Sequence, residues 1–240
     1  MPPLRSPAQR HYARLLAVCL LQLAIFTLPA PWNRLSSLGY LLLGTQMLQA
    51  LGTSGGAERG LGRGEAIGRW SYRLVGLAAL SVGGFWMLTP LNLRSSGVPV
   101  VVLWAVFAIW SAARLITQLS EERSVNRAVL RGALAGYLML GLAGGLVCAG
   151  LETAQPGSFL GVREAAVLAD GLQPVWSLNF VSLNYFAFVT LTTTGYGDIQ
   201  PTTSPAQMVS ILIAIAGNVY LTSVLGLLIG RFSSNLGDRS

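Results

Sequence analysis

Apolar runs of bilayer length dominate this sequence and leave it few folds. A helix that crosses a membrane needs about 20 mainly apolar residues. Six runs approach or exceed that length: Leu15–Trp32, Leu35–Leu51, Leu74–Leu91, Val98–Leu119, Ala133–Leu151 and Ala206–Phe232. A seventh, Leu178–Thr193, is shorter and ends in threonines just before two glycines, so it predicts a re-entrant helix that does not span. Of the 240 residues, 52% are hydrophobic and only 10% charged, against about 25% charged in a soluble domain. In water, such a chain would expose large apolar patches. The expected fold class is an all-α membrane protein with six transmembrane helices and one re-entrant helix and loop.

The charge of +7 would suit nucleic acid, but its placement does not. All sixteen basic residues are Arg, and they fall in short stretches between the apolar runs. With both termini inside, thirteen of them are cytoplasmic: Arg5, Arg10, Arg14, Arg59, Arg63, Arg69, Arg73, Arg114, Arg123, Arg127, Arg131, Arg231 and Arg239. Arg34, Arg94 and Arg163 stay outside. That asymmetry sets a topology, and it places the loop after the re-entrant helix on the outer side. The first run, with its basic start and Pro29-Ala30, also has a reading as a cleavable signal peptide; retention as a span is the expectation.

Gly52–Arg69 reads as a flexible inner loop. Ser120–Arg131 reads as an amphipathic helix at the inner surface, or as a solvated loop. Thr153–Trp176, carrying Glu164 and Asp170, reads as an outer turret. About eight residues follow Phe232, and no soluble domain is expected there. Cys19 and Cys148 lie inside apolar runs and His11 is the one histidine, so neither a metal-ligand spacing nor a nucleophile–base pair is present. Enzymatic function is not expected, nor any cofactor beyond a permeant ion.

An ion that crosses lipid must exchange its hydration shell for oxygen atoms, and backbone carbonyls can supply them. Carbonyls that all face one axis require residues with positive φ, which Gly adopts cheaply. Gly195 and Gly197, one residue apart, meet that need. The expected ligands are the carbonyls of Thr193, Thr194, Gly195 and Tyr196 and the Thr193 hydroxyl, with Gly197 completing the strand. The stretch Thr190-Leu191-Thr192-Thr193-Thr194-Gly195-Tyr196-Gly197-Asp198 resembles the signature of potassium channels. The flanking Tyr185-Phe186-Ala187-Phe188-Val189 and Ile199-Gln200-Pro201 are similar to prokaryotic members, and the close resemblance covers about residues 177–232. It implies a homotetramer around a potassium-selective filter, with Thr190, Thr192, Asp198, Tyr185 and Phe186 supporting the filter from behind. Residues 1–119 then form a peripheral four-helix unit, 120–131 the connecting helix, and 132–240 the pore domain. The expected partners are K+, membrane lipid and three further copies of the chain. The expected location is the plasma (inner) membrane of a bacterium.

The chain departs from that family in several places. Thr194 stands where most relatives have Val. Tyr185 and Phe186 replace a tryptophan pair, and Tyr185 can hydrogen-bond Asp198 or simply anchor its helix. No carboxylate stands at Val189. Gly217, twenty residues past Gly197, matches the family's hinge glycine, and close helix packing explains it equally. The fourth run carries only Arg114, and the second and third runs contain no Asp or Glu. Steep voltage gating is therefore not expected.

Overall fold

The structure, a computed structural model, describes residues 7–28, 32, 35–52, 63–88, 94–121, 126–162 and 180–226. Seven α-helices run in chain order: α1 (Pro7–Phe26), α2 (Leu35–Gly52), α3 (Arg63–Leu88), α4 (Arg94–Glu121), α5 (Arg127–Ala154), α6 (Phe180–Leu191) and α7 (Ser204–Val219). A π-helical segment, Tyr220–Leu225, continues α7. Two short strands, β1 (Phe159–Leu160) and β2 (Gln200–Pro201), pair antiparallel, Phe159 opposite Pro201 and Leu160 opposite Gln200. Among the described residues three stretches are long and apolar enough to cross a membrane: Gly97–Ser120, Arg127–Ala154 and Ser204–Val224. The apolar part of α1, His11–Phe26, and the whole of α6 are shorter.

The helices differ from the expected runs mainly at their ends. Helix α1 stops at Phe26 in turn bonds from Thr27 and Leu28, ahead of Pro29, so it falls short of the expected Trp32. Helix α3 starts at Arg63, so residues 63–69, expected as loop, are helical. Residues 122–125 of the expected connecting helix over 120–131 lie outside the described residues, and the residues flanking them belong to other elements. Ser120 and Glu121 end α4, Asn126 is non-helical, and Arg127 to Arg131 open α5. The reason is local: the Asn126 side-chain oxygen accepts from the amides of Ala128 (2.8 Å) and Val129 (3.2 Å), a cap that starts a new helix. Arg123, Arg163, Glu164, Asp170 and Arg231 lie outside the described residues.

The chain divides into two compact units: residues 1–80, 110–138 and 221–240, and residues 81–109 and 139–220. In the first unit, α1 packs on α2. The Gln22 amide donates to the Ser36 carbonyl (3.1 Å) and lies against Gly39, where a Cβ would collide with it. Tyr72 of α3 is fully buried; its hydroxyl donates to the Met47 carbonyl (3.2 Å) and lies 2.9 Å from the Ser111 hydroxyl of α4. The guanidinium of Arg114 sits 4.6 Å from the centre of the Tyr72 ring and donates to the Gly68 carbonyl (3.1 Å). Arg114 is thereby tied to α3.

In the second unit, small residues on α5 let other helices approach. Gly141 lies under the Phe188 ring and Gly145 under the Asn184 side chain, both of α6, while Gly144 faces Ile213 of α7. Gly83 of α3 likewise receives the Trp104 indole of α4.

Replacing Tyr72 with Phe removes two hydrogen bonds from an apolar interior and leaves the ring under Arg114. The expected loss is about 1–2 kcal/mol, read as a lower midpoint of thermal unfolding in detergent; an unchanged midpoint would show that the network adds no stability.

Candidate functional site

Helix α6 carries the site at its C-terminal end. Its last carbonyls are not left bare. The Thr192 amide donates to Phe188 (2.9 Å), Thr193 to Thr190 (3.0 Å), and both Thr194 (2.9 Å) and Gly195 (3.4 Å) to Val189. This reversal needs a left-handed residue just past the helix, and Thr193 fills that place at φ 58°. A β-branched residue there is strained, and such strain concentrates at functional sites. Gly195 (φ 60°) and Gly197 (φ 79°) follow, while Thr194 and Tyr196 between them are not left-handed. Alternation of this kind turns successive peptide planes the same way, so that their carbonyls can face one side.

All five residues of this strand, Thr193 to Gly197, are exposed in the single chain. A Cβ placed on Gly195 or Gly197 would meet nothing within 4 Å, so φ alone explains glycine at both positions. Behind the strand, the Thr192 hydroxyl lies 2.9 Å from that of Thr194 and 2.8 Å from the Phe188 carbonyl. The polar side chain at 194 thus has a hydroxyl partner that Val would not use.

Past Gly197 the Tyr185 hydroxyl donates to the Asp198 carboxylate. That bond, with partial desolvation and the charge of Asp198, holds the Tyr185 phenol above its ordinary value. The Tyr185 and Tyr196 rings are parallel, 3° between planes and 6.4 Å between centres. Phe186 is buried with its ring 5.1 Å from that of Phe159. The Gln200 amide donates to the Gly197 carbonyl (2.9 Å). Tyr185, Thr192 and Asp198 therefore gather at residues 193–197, Thr190 contributes its carbonyl, and Phe186 packs on Phe159 instead.

Sequence reasoning missed what anchors the chain past Gly197. The buried carboxylate of Glu152, at the end of α5, accepts from the amides of Gly157 (2.8 Å) and Phe159 (3.0 Å). Between them Gln155-Pro156-Gly157-Ser158 forms a turn, closed by the Ser158 amide on the Gln155 carbonyl (3.2 Å) with Gly157 at φ 83°. Pro then Gly at the two central positions is a type II signal that the sequence displayed. The turn brings β1 to β2, Thr202 bonds Ser158 (2.9 Å) and Gly157, and Gly161 lies so close to the Asp198 carbonyl that a Cβ would collide with it.

Gly217, the expected hinge, is buried against the Leu191 carbonyl at the end of α6, and a Cβ there would overlap that oxygen. Close packing accounts for this glycine. The departure from α-helical geometry comes three residues later, at Tyr220.

Residues 158–234 match a family model described as an ion channel. The matched stretch starts at the Glu152-held turn and takes in α6, the 193–197 strand and α7, and it supports ion-channel function. None of the curated proteins matches the chain.

Two substitutions test this frame. Gly217→Ala forces a methyl onto the Leu191 carbonyl, and Glu152→Ala strands two amides. Each is expected to cost about 1–3 kcal/mol, measured as a lower unfolding midpoint in detergent by circular dichroism. Wild-type midpoints would remove these contacts from the support of the site.

Proposed function

We infer that the chain is one subunit of a homotetrameric, potassium-selective channel. The observation that carries this reading is the alternation of left-handed residues at 193, 195 and 197. Four such strands about one axis would offer rings of carbonyls from Thr193, Thr194, Gly195 and Tyr196, with the Thr193 hydroxyl at the inner mouth, in place of a dehydrated ion's water. The C-terminal, partly negative end of α6 would favour a cation before it enters. Closed cyclic symmetry supplies the axis. The need for more chains is supported by α7. Its apolar span Ser204–Val224 has only 17% of its residues buried, and Met208, Leu212 and Ile215 are exposed along it.

The reading includes weak voltage dependence. Each charge moved across the membrane contributes about 2.3 kcal/mol per 100 mV. Arg114 is held to α3 by Tyr72 and Gly68, which opposes its travel. Both termini are assigned to the cytoplasm and the protein to a bacterial plasma membrane, on the arginine asymmetry and the resemblance of the motif.

The purified protein in a planar bilayer, with potassium on one side and sodium on the other, tests this. The expected result is a reversal potential near the potassium equilibrium value and an open probability nearly flat in voltage. Gly197→Ala should lower potassium current by at least about tenfold, since Ala is disfavoured at φ 79°, while assembly on size exclusion stays intact. Equal passage of sodium would refute selectivity, and full current in Gly197→Ala would refute the assigned filter.

A further inference from the structure

The carbonyls of the 193–197 strand are not alike. Among the described residues, those of Thr193, Thr194, Gly195 and Tyr196 accept no hydrogen bond. That of Gly197 accepts one from the side-chain amide of Gln200 (2.9 Å). The open carbonyls are the ligands expected from the sequence, and the last carbonyl is already engaged. A backbone carbonyl has two lone pairs, so Gly197 keeps one for a cation. The N–H on the other pair sets a partial positive charge within hydrogen-bond distance of the same oxygen, and that charge repels a cation.

The bond has a fixed base. Gln200 stands in β2, opposite Leu160 of β1. After it, Pro201 restricts φ, and Thr202 bonds the Ser158 carbonyl through its amide (2.9 Å) and the Gly157 carbonyl through its hydroxyl. Before it, the Asp198 carbonyl lies against Gly161 so closely that a Cβ would collide with it. The Gln200 backbone is thus held on both sides, and its side chain reaches back three residues to the strand. Gln200 is itself exposed, so the bond satisfies no buried polar group.

We propose that Gln200 is a positioning residue of the conducting strand. Its amide competes with the permeant cation for the Gly197 oxygen and makes that carbonyl a weaker ligand than those before it. Conduction requires sites that bind an ion well enough to admit it and weakly enough to release it. The open carbonyls serve selection, and the engaged one gives the ion an intermediate step between the strand and water. This role rests on the potassium-channel reading of the chain.

Single-channel conductance of the full-length protein in planar bilayers, with equal potassium on both sides raised stepwise from millimolar to molar, tests it. Gln200→Met keeps the length of the side chain and removes the donor. Its conductance should reach half-saturation at about threefold lower potassium than in the wild type, with the reversal potential for potassium against sodium unchanged. Gln200→Asn keeps an amide but is a methylene shorter and loses the reach, so it should match Gln200→Met. An unshifted half-saturation in Gln200→Met would overturn the proposal. So would wild-type behaviour in Gln200→Asn, which would mean that polarity at this position suffices without the bond. A reversal potential moved toward zero in Gln200→Met would also overturn it, because Gln200 would then hold the whole strand and not its last carbonyl. Passage of sodium through the wild type would refute the channel reading itself, whereas a selective wild type with an unshifted Gln200→Met refutes the role of Gln200 alone.

Discussion

Everything at the 193–197 strand depends on how closely α6 can be held by its neighbours. Three glycines make that possible. Gly141 and Gly145 of α5 admit Phe188 and Asn184, and Gly217 of α7 admits the carbonyl at the end of α6. The first two contacts are with side chains of α6 and the third with its backbone, so α6 is held close on both flanks. The reversal after Leu191 then follows from where α6 ends. The amides of residues 192–195 find their acceptors on the last turn, and the strain at Thr193 is sustained by that set of bonds.

A second constraint acts past Gly197 and has a different character. Glu152, the Pro156-Gly157 turn and the β1–β2 pair are polar and local, whereas the glycine contacts are apolar packing. The strand is fixed at its start by helix packing and at its end by hydrogen bonds from Gln200 and, through Asp198, from Tyr185. Side chains in the first unit serve another end: Tyr72, Ser111 and Arg114 satisfy one another within an apolar surround, and Arg114 is held where a mobile charge would have to move.

The site was legible in the sequence because its chemistry is written in backbone-permissive residues. Gly195 and Gly197 announce positive φ, and the threonines before them mark the end of a helix too short to span. Long apolar runs located the helices, yet their ends were misjudged where a polar residue decided the matter. Asn126 divides what looked like one amphipathic helix, and Arg63 to Arg69 join α3 in spite of their charge. Glu152 was missed because a single acid closing an apolar run gives no hint of which amides it will accept. Thr193 was expected as a ligand, but its left-handed backbone was not foreseen, since hydrogen bonds from residues on either side impose it against intrinsic preference.

The π-helical segment after Gly217 has a geometric consequence for the rest of the inner helix. Bonding five residues back instead of four takes one more residue to complete a turn, so by the end of Tyr220–Leu225 the chain has fallen out of phase with α7 by roughly 100°. Side chains within Tyr220–Leu225 that an unbroken α-helix would stack on one face of α7 are therefore presented in different directions. The stripe that lines one side of α7 does not continue on the same face past Tyr220.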